Sequence, residues 1–234
     1  MIVAISGGKG GVGKSTVAMN LARELEAIVV DADLTAPDLP RGRAVDLHDV
    51  LAGRADPMDA VVHHGSLCIL PCGRTLAGAR ASDLAEMGRT VRRVERDYGD
   101  VVVDCPAGLA RDVGTALHCA DVAVLVTTPN RPALLDAVRT RRLALDLETP
   151  IAAVVLNRSR NGRGAQIDGR VEATFEAPAT VVPERAAIAD ATRAGKPVRD
   201  VRPTDRVLEV FERIARQLER CHRRRADDGS LSRS

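Results

Sequence analysis

The chain has 234 residues, 45% of them hydrophobic, an ordinary share for a soluble protein and enough for one domain with a sizeable core. A net charge of +2 gives the chain as a whole no polyanion partner, and no apolar stretch is long enough to span a bilayer. Aromatic residues are limited to Tyr98, Phe175 and Phe211, so the core must be Val, Leu, Ile and Ala, and the five scattered cysteines fit reduced thiols in the cytoplasm.

In chain order, Ile2–Ser6 is a β-branched run that predicts a strand, and with Ile2 already in it no signal peptide is expected. A glycine-rich loop follows, then a helix over Val17–Leu25. Ala27–Val30 is a second apolar run, closed by Asp31-Ala32-Asp33. After a loop with Pro37 and Pro40 come a short helix over Val45–Leu51, stopped at Gly53, and a brief strand at Leu67–Leu70. Asp83 is placed to cap a helix whose apolar positions are Leu84, Met87, Val91, Val94 and Tyr98. Val101–Val103 predicts a buried strand ending in Asp104; a short helix near Val113–Leu117 precedes another strand at Val122–Thr127. Pro132–Leu147 reads as helix, Ile151–Leu156 as strand, and the Arg- and Gly-rich stretch 157–164 as loop. Helices near 166–175 and 184–194 bracket a strand at Thr180–Val182, and a last helix runs from about Thr204 to Arg220 on Val207, Phe211, Ile214 and Leu218. Continuous apolar strands alternating with helices predict an α/β fold, a mostly parallel central sheet with helices on both faces. One domain is expected over residues 1–221, with 222–234 a polar, basic and disordered tail.

The loop Gly8-Lys9-Gly10-Gly11-Val12-Gly13-Lys14-Ser15-Thr16 fits G-x-x-x-x-G-K-[ST], the phosphate-binding P-loop of P-loop NTPases, in its required strand–loop–helix context. Glycines bring backbone N–H groups close to an anion, and the helix N-terminus adds unpaired N–H groups and the positive end of its dipole. Lys14 is placed for β- and γ-phosphates and Ser15 for Mg²⁺. Only Lys9, Lys14 and Lys196 are lysines, against 31 arginines (34 basic residues minus three). Two of the three sit in this loop, where a slim point charge fits and a broad guanidinium does not. Asp31 and Asp33 on one strand end and Asp104 on another bring three carboxylates beside the loop, a metal–phosphate arrangement in which Asp104 takes the Walker B position that holds Mg²⁺, usually through water.

Lys9 to Ser15 match K-G-G-x-G-K-[ST] at every position, and the sequence here resembles the MinD/ParA group of deviant-Walker ATPases. The resemblance spans nearly the whole chain. It implies a weak ATPase, working with ATP and Mg²⁺, that forms an ATP-dependent homodimer in which Lys9 reaches the partner's nucleotide. Its role would be in cell division, chromosome partitioning or the placement of other machinery, with a protein activator or cargo. It further implies that Asp33 positions the attacking water, that Asp31 lies near the Mg²⁺, and that Gly108 of Asp104-Cys105-Pro106-Ala107-Gly108 swings toward the γ-phosphate. Asn157 and Arg158 match an adenine-reading pair, and Pro183-Glu184 matches part of a P-E-D segment in which Arg185 replaces the usual aspartate. Lack of an N-K-x-D signature favours ATP over GTP.

Two other readings share the phosphate loop: an Mrp-type iron–sulfur carrier and a biosynthetic ligase of the dethiobiotin or cobyrinate type. Cys68 and Cys72 are four apart and form neither C-x-x-C nor C-x-C, so buried thiols are expected instead. Arg89, Arg92, Arg93 and Arg96 form a stripe that ParA-type relatives would use for nonspecific DNA, although Glu86, Glu95 and Asp97 dilute it. The end of the chain, with Arg223–Arg225 and only Leu231 after it, lacks the apolar face of MinD's membrane-targeting helix, so direct membrane attachment is not expected.

Overall fold

The computed structural model describes residues 1–42, 45–109, 111–160 and 163–231, leaving out the side chains of 163–168 and 225–231. The first strand, β1 (Ile2–Ser6), is buried at all five positions, because helices cover both faces of the sheet and leave no solvent side. The chain continues through α1 (Lys14–Glu24), β2 (Ile28–Asp31), α2 (Leu47–Leu51), α3 (Pro57–Ala60), β3 (Val62–His64), β4 (Leu67–Leu70) and α4 (Leu76–Ala81). Then come α5 (Met87–Tyr98), β5 (Val101–Asp104), α6 (Arg111–Cys119), β6 (Val122–Thr127), α7 (Arg131–Asp146) and β7 (Ile151–Ser159). The last elements are α8 (Arg163–Phe175), β8 (Ala179–Pro183), α9 (Ala186–Ala194), α10 (Val198–Val201) and α11 (Val207–Leu231). The sheet order is β3-β4-β2-β5-β1-β6-β7-β8, and every pairing is parallel except β3 with β4. This is the α/β architecture expected from the alternation of apolar runs.

Strand alternation divides the core. Val3, Ile5, Val29 and Val102 pack with Val17 and Leu21 of α1 and Phe211, Ile214 and Leu218 of α11. Ile2, Ala4, Val30, Val101 and Val103 face the other way, onto Met87, Val91 and Val94 of α5 and Val113 and Leu117 of α6. Small β-branched residues on the strands let helices sit close on both sides, which a core nearly free of aromatics requires.

Several local expectations are corrected. Asp83 caps a single 3₁₀ turn over Leu84–Glu86 that leads into α5, accepting from Ala85 N at 3.0 Å. Tyr98 is 38% exposed and does not join the apolar stripe, because it lies at the last position of its helix. Asn157–Ser159 extend β7 and pair Ser159 with Pro183, so the polar stretch opens as strand; Asn161 and Gly162 lie outside the described residues. Strand β4 keeps its expected bounds of Leu67–Leu70, but its hairpin partner β3 and the short helices α3, α4 and α10 had no periodic signal long enough to announce them. The last helix runs on to Leu231, since no Pro or Gly interrupts it before Gly229 and Arg223 pairs with Glu219 one turn back at 3.4 Å. Residues 232–234 of the expected tail, and the Arg225 side chain, lie outside the described residues.

Candidate nucleotide-binding site

β1 lies between β5 and β6, where strand order reverses, so a crevice opens at its carboxyl end. The glycine loop fills this crevice. Gly13 caps α1 with φ 97° and ψ 31° and supplies no side-chain cap, so the first N–H groups of the helix stay available to an anion. A Cβ at Gly13 would also lie 2.2 Å from Asn157 Nδ2, and one at Gly8 would lie 2.3 Å from the Asp136 carbonyl oxygen. Both positions therefore need glycine for close approach as well as for turning. Val12 is buried and anchors the loop, whereas Lys9, Gly10 and Gly11 are exposed at its tip. Lys14 points inward and is only 8% exposed. Thr16, half-buried, lines both of the cavities described below.

Beside Lys14, β2 and β5 end in register with Asp31 opposite Asp104. Burial, and then the charge of Asp104, push the Asp31 carboxyl up from 3.8 to about 8. Burial also raises Asp104 to about 7, against the lowering effects of a hydrogen bond from Ser15 and the Lys14 charge. Asp31 Oδ2 and Asp104 Oδ1 are buried and have no hydrogen-bond partner among the described residues; the same holds for Ser6 Oγ and Thr127 Oγ1, at the carboxyl ends of β1 and β6. Orphaned carboxylate oxygens beside the Ser15 hydroxyl fit a divalent cation that keeps several of its waters, since a hydrated ion supplies the missing donors. Among the described residues no group of three or more His, Cys, Asp or Glu forms a protein-only metal cage.

Asp33 lies just beyond β2. Its Oδ1 accepts from Thr35 N at 3.3 Å, Thr35 Oγ1 at 3.2 Å and Ala36 N at 2.9 Å, while its own N–H donates to Asp31 Oδ1 at 3.2 Å. These bonds fold the loop after β2 into a local turn. Gly108 adopts φ 95°, with nothing within 4 Å of a Cβ built there.

The other end of the crevice is a cavity of about 300 Å³ that brings together Thr16, Asn157, Arg158, Pro183 and Glu184. A second cavity of about 560 Å³ runs along Gly11, Gly13, Lys14 and Ser15 and shares Thr16 and Arg158 with the first. Asn157 is buried and donates from Nδ2 to the Val12 carbonyl at 2.8 Å, so one of its two amide hydrogens already supports the phosphate loop. Arg158 has φ 54°, and Arg160 forms an ion pair with Glu184. Ile188, Thr192 and Arg193 of α9 also line this end, and sequence reasoning missed them. Their only signal was a helix following Pro183-Glu184.

The residues outside the crevice read differently. Arg89 pairs with Glu86, Arg92 with Glu95 and Asp121, and Arg93 with Asp97, so most of the basic stripe is neutralised by its own neighbours. Cys72, Cys105 and Cys119 are buried and Cys68 and Cys221 half-buried, all as free thiols. Burial pushes the Cys72 and Cys105 thiols far above their usual range. Among the described residues no helix is long and apolar enough to cross a membrane.

Residues 1–219 match the ParA family model, described as NUBPL iron-transfer P-loop NTPase. The chain belongs to the ParA family of P-loop NTPases. Family membership carries ATPase activity in general terms. An uncharacterised ATP-binding protein of Methanocaldococcus jannaschii is 32% identical over 92% of this chain and 86% of its own length. The structure of the cell-division ATPase MinD from Pyrococcus furiosus superposes with a TM-score of 0.85 at 30% identity, covering 94% of this chain and 98% of that one. The septum site-determining protein MinD of Pyrococcus horikoshii, complexed with Mg-ADP, gives 0.83 at 28% identity over 93% and 95%. An iron–sulfur cluster carrier from Pyrococcus horikoshii is 29% identical over 67% of this chain and 61% of its own length. The MinD/ParA resemblance of the P-loop sequence is thus the family of the whole chain.

Proposed function

We propose that this ParA-family ATPase binds ATP with Mg²⁺ and uses slow hydrolysis to switch between a monomer and an ATP-bound homodimer. The observation that carries this reading is the contrast between the loop's two lysines. Lys14 is 8% exposed beside Asp104, placed for its own phosphates. Lys9 is exposed at the tip between Gly8 and Gly10, and among the described residues it makes no ion pair. A charge at that tip serves a triphosphate presented by a second molecule.

In this scheme, backbone N–H groups of the loop and the N-terminus of α1 hold the phosphates, with Lys14 over the β- and γ-phosphates. Ser15, directly, and Asp31 and Asp104, through water, hold Mg²⁺, which when bound neutralises the charge developing on the phosphates. Asp33 orients the attacking water through its unengaged oxygen, and Gly108 turns its N–H toward the γ-phosphate. Asn157, Arg158, Pro183 and Glu184 receive the adenine. The dimer reports its nucleotide state to an activator or cargo in the positioning of division, partitioning or other machinery. DNA is a weaker fit as the surface it works on, because the Arg89–Arg96 stripe is largely ion-paired. The iron-transfer wording of the family and the carrier relative favour a cluster-carrier reading, but Cys68 and Cys72 form neither C-x-x-C nor C-x-C, which speaks against it.

The test is Lys9→Ala. The variant is expected to bind ATP as a monomer with unchanged affinity and to fail to dimerise with ATP and Mg²⁺ in sedimentation. Dimerisation equal to the parent's would make this a P-loop NTPase with a spare lysine.

A further inference from the structure

His48 is 2% exposed, on α2, whose Leu47, Val50 and Leu51 belong with Leu34 to one apolar cluster. Its Nε2 lies 3.0 Å from the carbonyl oxygen of Leu34. A carbonyl only accepts, so Nε2 carries the proton, and in the neutral ring Nδ1 is a bare acceptor. Nδ1 is buried and has no partner among the described residues. A leucine would fill this volume without burying an unpaired nitrogen, so packing alone does not account for the imidazole.

Leu34 is the residue after Asp33. The loop that carries Asp33 is tied down at both ends: Leu34 by His48, and Leu39 by Arg74, whose Nη2 donates to its carbonyl at 3.4 Å. The opposite edge of the imidazole is enclosed by two glycines. A Cβ at Gly73, just after β4, or at Gly78, in α4, would lie 2.5 Å from Nδ1. The ring thus wedges between the Asp33 loop and the segment of Gly73 to Gly78. On that segment α4 buries none of its residues, and Leu76 is 69% exposed.

We propose that His48 is a positioning residue for hydrolysis: its Nε2–H holds the Leu34 carbonyl and thereby sets Asp33, and α4 presses on it from outside. The proposal rests on the reading that Asp33 orients the attacking water. A push on exposed α4 reaches the ring at Gly78, and the ring passes it to the Leu34 peptide. Nucleotide affinity stays outside this path, since the phosphates are held by the glycine loop.

The experiment compares single-turnover ATP hydrolysis and ATP binding for Asp33→Asn, His48→Leu, His48→Gln and Gly78→Ala in the full chain. His48→Leu is expected to hydrolyse about five- to tenfold more slowly, the loss of one buried hydrogen bond, with unchanged ATP affinity. His48→Gln restores an N–H at the reach of Nε2 and is expected to keep most of the rate. Gly78→Ala leaves both partners of the hydrogen bond in place and favours helix, but crowds the ring, and is expected to slow hydrolysis without loss of folding. It decides the question should His48→Leu fail to fold. If Asp33→Asn slows hydrolysis while Gly78→Ala and a folded His48→Leu match the parent, the proposal is overturned. If Asp33→Asn itself matches the parent, the water-positioning reading fails, and the proposal with it.

Discussion

The two ends of the crevice are built from different materials. The phosphate end is backbone: Gly13 at positive φ, the open N-terminus of α1, and around them the buried Lys14, Asp31 and Asp104, with carboxylate oxygens left unpaired. Apart from the buried Asn157, the base end is side chains at the surface, where Arg160 and Glu184 form an ion pair among exposed neighbours and Arg158 rests on a strained φ of 54°. A buried, under-satisfied end has a free-energy reason to bind a ligand, because phosphate oxygens and a hydrated cation supply what the fold leaves unmade. A solvated end lacks that drive, since water already satisfies its groups. Affinity should therefore reside at the phosphate end, and base contacts should tune it weakly.

The largest test of this contrast is Lys14→Ala. Removing this buried cation, the only buried lysine or arginine among the described residues, is expected to weaken ATP binding on the order of a hundredfold or more, read by nucleotide titration. An effect below about threefold would mean that the loop's N–H groups suffice. The next test uses pH. Folded Asp31 keeps its proton up to about pH 8, whereas the unfolded chain releases it near 3.8. Between those values the native state binds more protons, so stability of the nucleotide-free protein falls as pH rises through this window, and Asp104, raised to about 7, adds in the same direction. Asp31→Asn removes the titration; at pH 8 its thermal midpoint is expected to exceed the parent's by about 5 °C, and at pH 4 the two should converge. A parent midpoint that does not decline between pH 5 and 8 would show that the carboxyls are better solvated than their burial implies. The smallest effect belongs to the base end. Glu184→Gln breaks a fully exposed ion pair, screened by water and salt, and should change ATP affinity by no more than about threefold. A tenfold loss would move the base end into the same class as the phosphate end.

Much of the fold and the phosphate end was legible in the chain, because each piece depends on neighbours in sequence. The β-branched run Ile2–Ser6, the loop glycines and the carboxylates closing Val29-Val30-Asp31 and Val102-Val103-Asp104 are read within a few residues, and strand β6 keeps its expected bounds of Val122–Thr127. Tertiary contacts overruled local pattern in other places. Asn157–Ser159 look like loop by composition, but pairing with β8 draws them into a strand. Strand β3 is too short for periodicity and exists because β4, which was expected, offers it an edge to pair with.

By itself the sequence determined the class of fold, the anion-binding loop and which carboxylates stand at strand ends, since propensity, glycine geometry and alternation act over short distances. Only the tertiary structure decided which atoms those groups meet. The Asn157 amide supports Val12 across 145 residues of chain, and the His48 imidazole spans 14 residues to take the Leu34 carbonyl. A buried polar group must find its partner wherever packing brings one, and sequence spacing holds no record of that choice.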